Sequence, residues 1–256
     1  MGIYLRAMPG EYAERVLVAG DPGRVMRVAR LLDNYRMVTE HRGLVGFTGS
    51  YRGVAVSVQT TGMGCPSMAI VGEELLAYGV RRVVRIGTCS GFGAGVRNGH
   101  VIVVTGAAAA DGTTRSYTGG NAFAAVPDFE LTVALVAAMR ARRIPMHIGP
   151  VVTVDVEPPL DEHSAGKWRE YGLLAMEMES AALFYLALRA TSRGPQRVEA
   201  GCVLTVSDGW DGHCEGAQVY MSDQDLDSAA DQMHVAALDA IAGPFSGREV
   251  AGSGGS

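Results

Sequence analysis

Cysteine is scarce and scattered: Cys65, Cys89, Cys202 and Cys214 include no Cys-x-x-Cys pair. That spacing argues against a zinc-ligand motif and a disulfide framework, and it suits a reducing compartment. An excess of positive charge is also missing. With 22 Lys and Arg against 27 Asp and Glu, the formal net charge is −5, which leaves no basic footprint for nucleic acid. No apolar run reaches the length that spans a bilayer, and the first residues carry no signal-peptide pattern. These absences set an expectation of a cytoplasmic protein with no nucleic-acid or membrane partner. What remains is an ordinary globular composition, 48% hydrophobic and 19% charged over 256 residues, enough for one large α/β domain. That domain is expected over 1–243, followed by a disordered Gly/Ser-rich tail over 244–256.

The chain is organised around the stretch Arg82 to Gly91. It opens as a short run of β-branched residues, the pattern of a strand buried on both faces. It closes in Gly87-Thr88-Cys89-Ser90-Gly91, small residues that let backbone N–H groups approach a ligand. Arg85 sits where a central strand would carry another valine, and a buried guanidinium needs an anionic partner. That partner is either an internal Glu or an oxyanion bound at the strand's C-terminal end, where open α/β sheets take their ligands.

The other elements fall on either side of this strand. Residues 15–19 read as a first strand, closed by Gly20-Asp21-Pro22-Gly23-Arg24, with Pro22 opening a helix to about Leu32. Gly20 and Arg24 therefore fall near a helix N-terminus, a ready anion site. Residues 42–51 and 54–60 alternate as a β-hairpin. A helix is expected over 67–78 and capped by Gly79, then strands over 100–105 and 146–154 and a helix over 128–142 begun by Asp128. Residues 106–127, rich in Ala, Gly and Thr, read as a long irregular loop, and 162–171 as a short helix. A last central strand over 198–206 ends at Ser207-Asp208, and a closing helix spans 222–242.

Two groups of carboxylates carry chemistry. Glu177 and Glu179, in Met176-Glu177-Met178-Glu179, share one side of an extended backbone in an apolar setting before a helix. They suit acid/base work or acceptance of sugar hydroxyls, or else they serve the helix dipole. Asp208, at a strand's C-terminal end, is either a helix cap or a general acid.

Taken together, Gly20-Asp21-Pro22-Gly23-Arg24, Arg42-Gly43, Gly62-Met63-Gly64, Arg85-Ile86-Gly87-Thr88-Cys89, Met176-Glu177-Met178-Glu179 and Val206-Ser207-Asp208 resemble the purine nucleoside/uridine phosphorylase family, in its hexameric branch. The resemblance covers about residues 3–242. It implies a three-layer α/β/α sandwich around a mixed, partly barrel-like sheet, assembled as dimers into a hexamer. It implies phosphorolysis of purine nucleosides with inorganic phosphate as co-substrate and no cofactor or metal. By that resemblance Gly20, Arg24, Arg85 and Thr88 bind phosphate, with Arg42 reaching in from the neighbouring subunit. Glu179 holds the ribose hydroxyls, Met63 and Met178 pack on the sugar, Met176 and Ser207 face the base, and Asp208 is the acid at purine N7.

Four positions depart from the family pattern. Tyr4 stands where a histidine is donated to the adjoining subunit's ribose site. Ser90 replaces a glycine and Glu157 an aromatic residue, both on the base side. The arginine expected beyond Asp208 has no counterpart in 209–223. The Gln/Arg pair of uracil recognition is also missing, which points from uridine toward purines. A phosphate-independent nucleosidase, a phosphorylase of 5′-modified or pyrimidine nucleosides, and a non-catalytic nucleoside binder are the rival readings. Glu157 either accepts hydrogen bonds from 6-oxopurines or is turned out to solvent by Pro158-Pro159.

Overall fold

Among the described residues, the buried apolar runs become the middle of one ten-stranded sheet. A computed structural model describes residues 2–157, 162–209 and 219–245. The first half supplies β1 (Arg15–Ala19), α1 (Pro22–Ala29), β2 (Asp33–Thr39), β3 (Gly46–Tyr51), β4 (Val54–Thr60), α2 (Cys65–Ala77) and β5 (Arg82–Gly91). Next come β6 (Val101–Ala109), α3 (Gly112–Thr118), α4 (Phe129–Ala141), β7 (Met146–Thr153) and α5 (Lys167–Glu170). The rest is β8 (Ala175–Glu177), α6 (Ser180–Arg193), β9 (Glu199–Gly209), β10 (Val219–Tyr220) and α7 (Asp223–Ile241).

Two sub-structures share β5. Its first half runs parallel to β1, which runs parallel to β4, and β3 and β2 extend that side as an antiparallel edge. Its whole length also runs parallel to β9, while its last residues, Ser90 and Gly91, pair with β8. Because β9 pairs with β6, β6 with β7 and β7 with β8, the strands β5, β9, β6, β7 and β8 close a ring. The sheet is thus open on the β1 side and barrel-like on the other. β1 stops at Ala19 while β5 continues into the ring. The split leaves a crevice beyond the carboxyl ends of both strands, the place where such sheets bind ligands.

Strand alternation distributes the core between two helical layers. Val16, Val18, Val83, Cys202 and Leu204 pack toward α2 and α6, with Met68, Leu75 and Phe184. Leu17, Val84, Ile86 and Val203 face the opposite way, onto Val25 of α1, Leu135 of α4 and Met233 of α7. By the same alternation Arg85 belongs to the α2/α6 face, beside Val83.

Several elements differ from the sequence expectation. Residues 106–127 are not one irregular loop: β6 runs on to Ala109, and Asp111 caps α3 through a hydrogen bond from Thr114 N. Helix α1 stops at Ala29, and the chain re-enters the sheet as β2, an edge strand whose first five residues are exposed. The hairpin begins at Gly46, because His41–Gly43 is a 3-10 turn with Arg42 at φ 59°. Residues 162–166 form a π-helical turn before α5. At the C-terminus Pro244 and Phe245 are held against three arginines, and residues 246–256, the remainder of the expected tail, lie outside the described residues.

Candidate active site

The crevice is a cavity of about 700 Å³, within the size range of small-molecule sites. Gly20, Met63, Arg24, Arg85, Thr88, Glu157, Met176, Met178, Glu179, Ser207 and Asp208 all line it. Ser90 lies directly behind, and its Oγ donates to Glu157 Oε1 at 2.5 Å. Tyr4 and Arg42 do not line it.

One wall is cationic. Asp21 caps α1 by accepting from Gly23 N (2.9 Å) and Arg24 N (2.8 Å), which fixes Arg24 in the first turn beneath the end of β5. Arg24 Nη1 donates to Ile86 O at 3.4 Å, and its buried Nε has no partner among the described residues. Burial, and then the nearby Arg85, lowers its pKa to about 10. Arg85 is 5% exposed; its Nε donates to Glu177 Oε2 at 3.3 Å, and its Nη2 pairs with Glu179 Oε2. Burial alone would lower the Arg85 pKa, but Glu179 and Glu177 outweigh it and the net shift is upward. Gly87 makes this placement possible. A Cβ there would stand 2.7 Å from the Arg85 guanidinium carbon, so any side chain would displace the group.

The two glutamates that the sequence pairs have separate tasks. Glu177 is spent on structure: it accepts from Glu179 N (2.9 Å), Ser180 N (2.9 Å), Thr153 Oγ1 and Arg85, and so caps α6. The helix-start reading therefore holds for Glu177. Glu179 sits at the cavity surface, with Gly64 N donating to its Oε1 at 2.5 Å. Gly64 has φ 87°, a left-handed conformation that aims its N–H across from the start of α2. Burial raises the Glu179 pKa, opposed by Arg85 and reinforced by Glu177.

The opposite wall comes from β9. Cys89 pairs with Val206 but Ser90 pairs with Asp208, so Ser207 is an extra residue in a β-bulge. In a regular strand neighbouring side chains point to opposite faces; the bulge lets both Ser207 and Asp208 reach the cavity. Ser207 Oγ is 2.7 Å from Asp208 Oδ1 and 3.2 Å from the Cys89 carbonyl. Asp208 is buried and lies on a strand, which sets aside the helix-cap alternative.

Tyr4 and Arg42 form a unit of their own. The Arg42 guanidinium carbon lies 5.5 Å from the Tyr4 ring centroid, and His41 Nδ1 is 2.8 Å from Tyr4 O. Glu74 fixes the N-terminal segment by accepting from Ile3, Tyr4 and Leu5 N at 2.6, 2.9 and 2.8 Å. Among the described residues no group of three or more His, Cys, Asp or Glu could hold a metal ion, and no helix is long and apolar enough to cross a membrane.

A family model described as the phosphorylase superfamily matches residues 14–242. The chain belongs to the phosphorylase superfamily. Among curated members, a purine nucleoside phosphorylase DeoD-type of Alkaliphilus metalliredigens is 39% identical over 210 residues, 81% of this chain and 88% of that one. A DeoD-type 2 enzyme of Vibrio cholerae is 34% identical over 244 residues, covering 93% and 98%. A guanosine phosphorylase of Halorubrum lacusprofundi is 36% identical over 203 residues, covering 79% and 81%.

Beyond the residues expected at the site, the lining also includes Asp21, Pro22, Gly62, Cys89, Glu177, Tyr220 and Leu226. Asp21 was legible, since it lies inside the Gly-Asp-Pro-Gly-Arg run. Tyr220 and Leu226 carried no local signal. They reach the cavity only because β10 pairs with the end of β9, Tyr220 opposite Asp208, and turns into α7. Among the described residues, Tyr220 is the one aromatic ring in the lining.

Proposed function

We propose that this chain catalyses phosphorolysis of purine ribo- and deoxyribonucleosides, giving free base and (deoxy)ribose 1-phosphate. The observation that carries this reading is one cavity with a buried arginine pair on one wall and Asp208 on the other. Two guanidiniums that repel each other at the start of α1 are a natural seat for an oxyanion, which relieves the repulsion. The names of the DeoD-type relatives support the same reaction.

In the proposed reaction a phosphate oxygen, held by Arg24, Arg85, Thr88 and the backbone at Gly20, attacks the anomeric carbon. The glycosidic C–N bond breaks with its electron pair leaving on the base, and Asp208 in its carboxylic form passes its proton to N7, so the base departs neutral. Glu179 accepts from the ribose hydroxyls while Met63 and Met178 cover the sugar, and Met176 and Ser207 complete the base side. Preorganised charge around the oxocarbenium-like transition state accelerates the step.

A second copy of the chain completes the site in this reading. Arg85 takes both Glu177 and Glu179 as partners, and counted with Arg24 the formal charge of these four groups is zero. A phosphate dianion calls for a further cation, and the exposed Arg42 is held ready beside Tyr4. We assign both to a neighbour's cavity, in a homo-oligomer built as a trimer of dimers. Mixing Arg42→Ala subunits with Asp208→Asn subunits should then restore activity, because some sites hold both native residues. Well-mixed hybrids with no recovery would confine Arg42 to its own chain.

The deciding assay incubates adenosine, guanosine, inosine and uridine with and without phosphate and follows free base and sugar phosphate. Base release that needs phosphate and yields ribose 1-phosphate is the expected result. Release without phosphate would make the protein a nucleosidase, and binding without release a nucleoside binder.

A further inference from the structure

Two departures from the family pattern meet in a single hydrogen bond. Ser90 is fully buried in β5, and its one hydroxyl proton goes to Glu157 Oε1 at 2.5 Å. Glu157 is otherwise solvent-exposed and lines the cavity rim. The bond turns the carboxylate inward instead of leaving it in solvent. It also uses the only donor of the pair, so Ser90 and Glu157 together offer the cavity nothing but acceptors.

Resting on the phosphorolysis reading above, we propose that the Ser90–Glu157 pair is the specificity element of this site, selecting nucleosides whose base presents ring N–H donors. Guanine presents N1–H and the 2-amino group side by side, hypoxanthine N1–H alone, and adenine an N1 lone pair that a carboxylate repels. The order guanosine, inosine, adenosine follows. Tyr220 fits beside this polar edge. Tyr220 is 69% exposed and lines the same cavity, next to Asp208 across the β9–β10 pairing, so its ring supplies an apolar face for the base that Glu157 cannot. A polar pocket of this kind discriminates more sharply than an apolar one, because a mismatched base leaves a carboxylate without a donor.

The test compares Glu157→Gln, Ser90→Ala and the double variant with the native protein on guanosine, inosine and adenosine. Glutamine keeps the shape but replaces one acceptor by a donor. The ratio of kcat/KM for guanosine over adenosine should fall about 10- to 100-fold in Glu157→Gln, the range of a hydrogen bond to a charged group. Ser90→Ala should lower it less, and the double variant should be no worse than Glu157→Gln, since the two act as one unit. Unchanged ratios in a Glu157→Gln protein that still turns over would overturn the proposal and leave phosphorolysis standing. Calorimetric titration of hypoxanthine and adenine into the same proteins reads selection without turnover. Native preference for hypoxanthine that Glu157→Gln removes supports the pair even if no sugar phosphate forms, whereas equal affinities overturn it.

Discussion

Along the β5–β9 pair, buried arginines and carboxylates serve two different settings, a sealed one at the start of the strands and a cavity toward their C-terminal ends. At the lower end Arg82, 2% exposed, meets Glu199 across the parallel register, Nε to Oε2 at 2.5 Å. Its remaining donors go to the carbonyls of Ile241 (3.2 Å), Gly243 (2.9 Å) and Pro244 (2.6 Å), and the Phe245 ring lies 4.7 Å from its guanidinium carbon. Everything that arginine touches is fixed protein, so it clamps the end of α7 to the sheet. Three residues on, Arg85 is also buried but faces a cavity, and its partners are the structural Glu177 and the cavity-facing Glu179. At the far end of β9 Asp208 stands where Glu199 stands at the near end. Burial and pairing alone therefore do not mark a functional arginine; what decides is whether its surroundings leave room for a ligand.

Substitutions at the two ends should separate chemistry from stability. The largest effect expected is at the cavity end: Asp208→Asn should slow turnover of adenosine about 10²- to 10⁴-fold, the usual worth of a general acid, with phosphate affinity little changed. Stopped assays at saturating phosphate measure it, and native turnover would remove Asp208 from the chemistry. At the clamp end, Arg82→Met removes the arginine paired with buried Glu199 and should cost about 3–5 kcal/mol of stability, read from urea unfolding midpoints. The folded fraction should keep its native specific activity.

A smaller effect concerns α7, which touches both ends. His234 is buried on that helix, with Arg24 and Arg27 near it and Asp227 and Asp231 on its own helix. Burial, and then the two arginines, lowers its pKa from 6.5 to about 3. Between those values the unfolded chain binds a proton that the folded chain refuses, so stability is full above about pH 6.5 and falls as the pH drops toward 3. The slope from this group is at most about 1.4 kcal/mol per pH unit. His234→Leu should flatten the pH dependence of the unfolding free energy in that window, and an unaltered slope would mean that other groups set it.

Much of this was legible in the sequence where burial and turn chemistry act locally. The apolar runs gave β1, β5 and β9, and Asp21, Pro22, Gly79 and Asp128 marked helix ends at positions where they do cap or turn the chain. Strand β2 was not legible, because it is an exposed edge opened by the turn-forming pair Asp33-Asn34, and its apolar Tyr35 and Met37 stay exposed. The partition between Glu177 and Glu179 was hidden for a different reason. Both sit in the same apolar setting, and only the start of α6 and Thr153 from β7 claim one of them. Arg82 and Arg85 looked alike for the same reason: their partners come from more than 90 residues further along the chain. The inward turn of Glu157 depended on Ser90, a contact across 67 residues that no local pattern encodes.

The most direct test of the division between the two ends is the phosphate concentration that half-saturates the reaction in Arg85→Gln and in Arg82→Gln, each measured on its folded fraction. The account predicts at least about a tenfold rise for Arg85→Gln, in line with loss of a charge-assisted contact, and a native value within about twofold for Arg82→Gln. Equal shifts in the two variants, or a native value in Arg85→Gln, would contradict it.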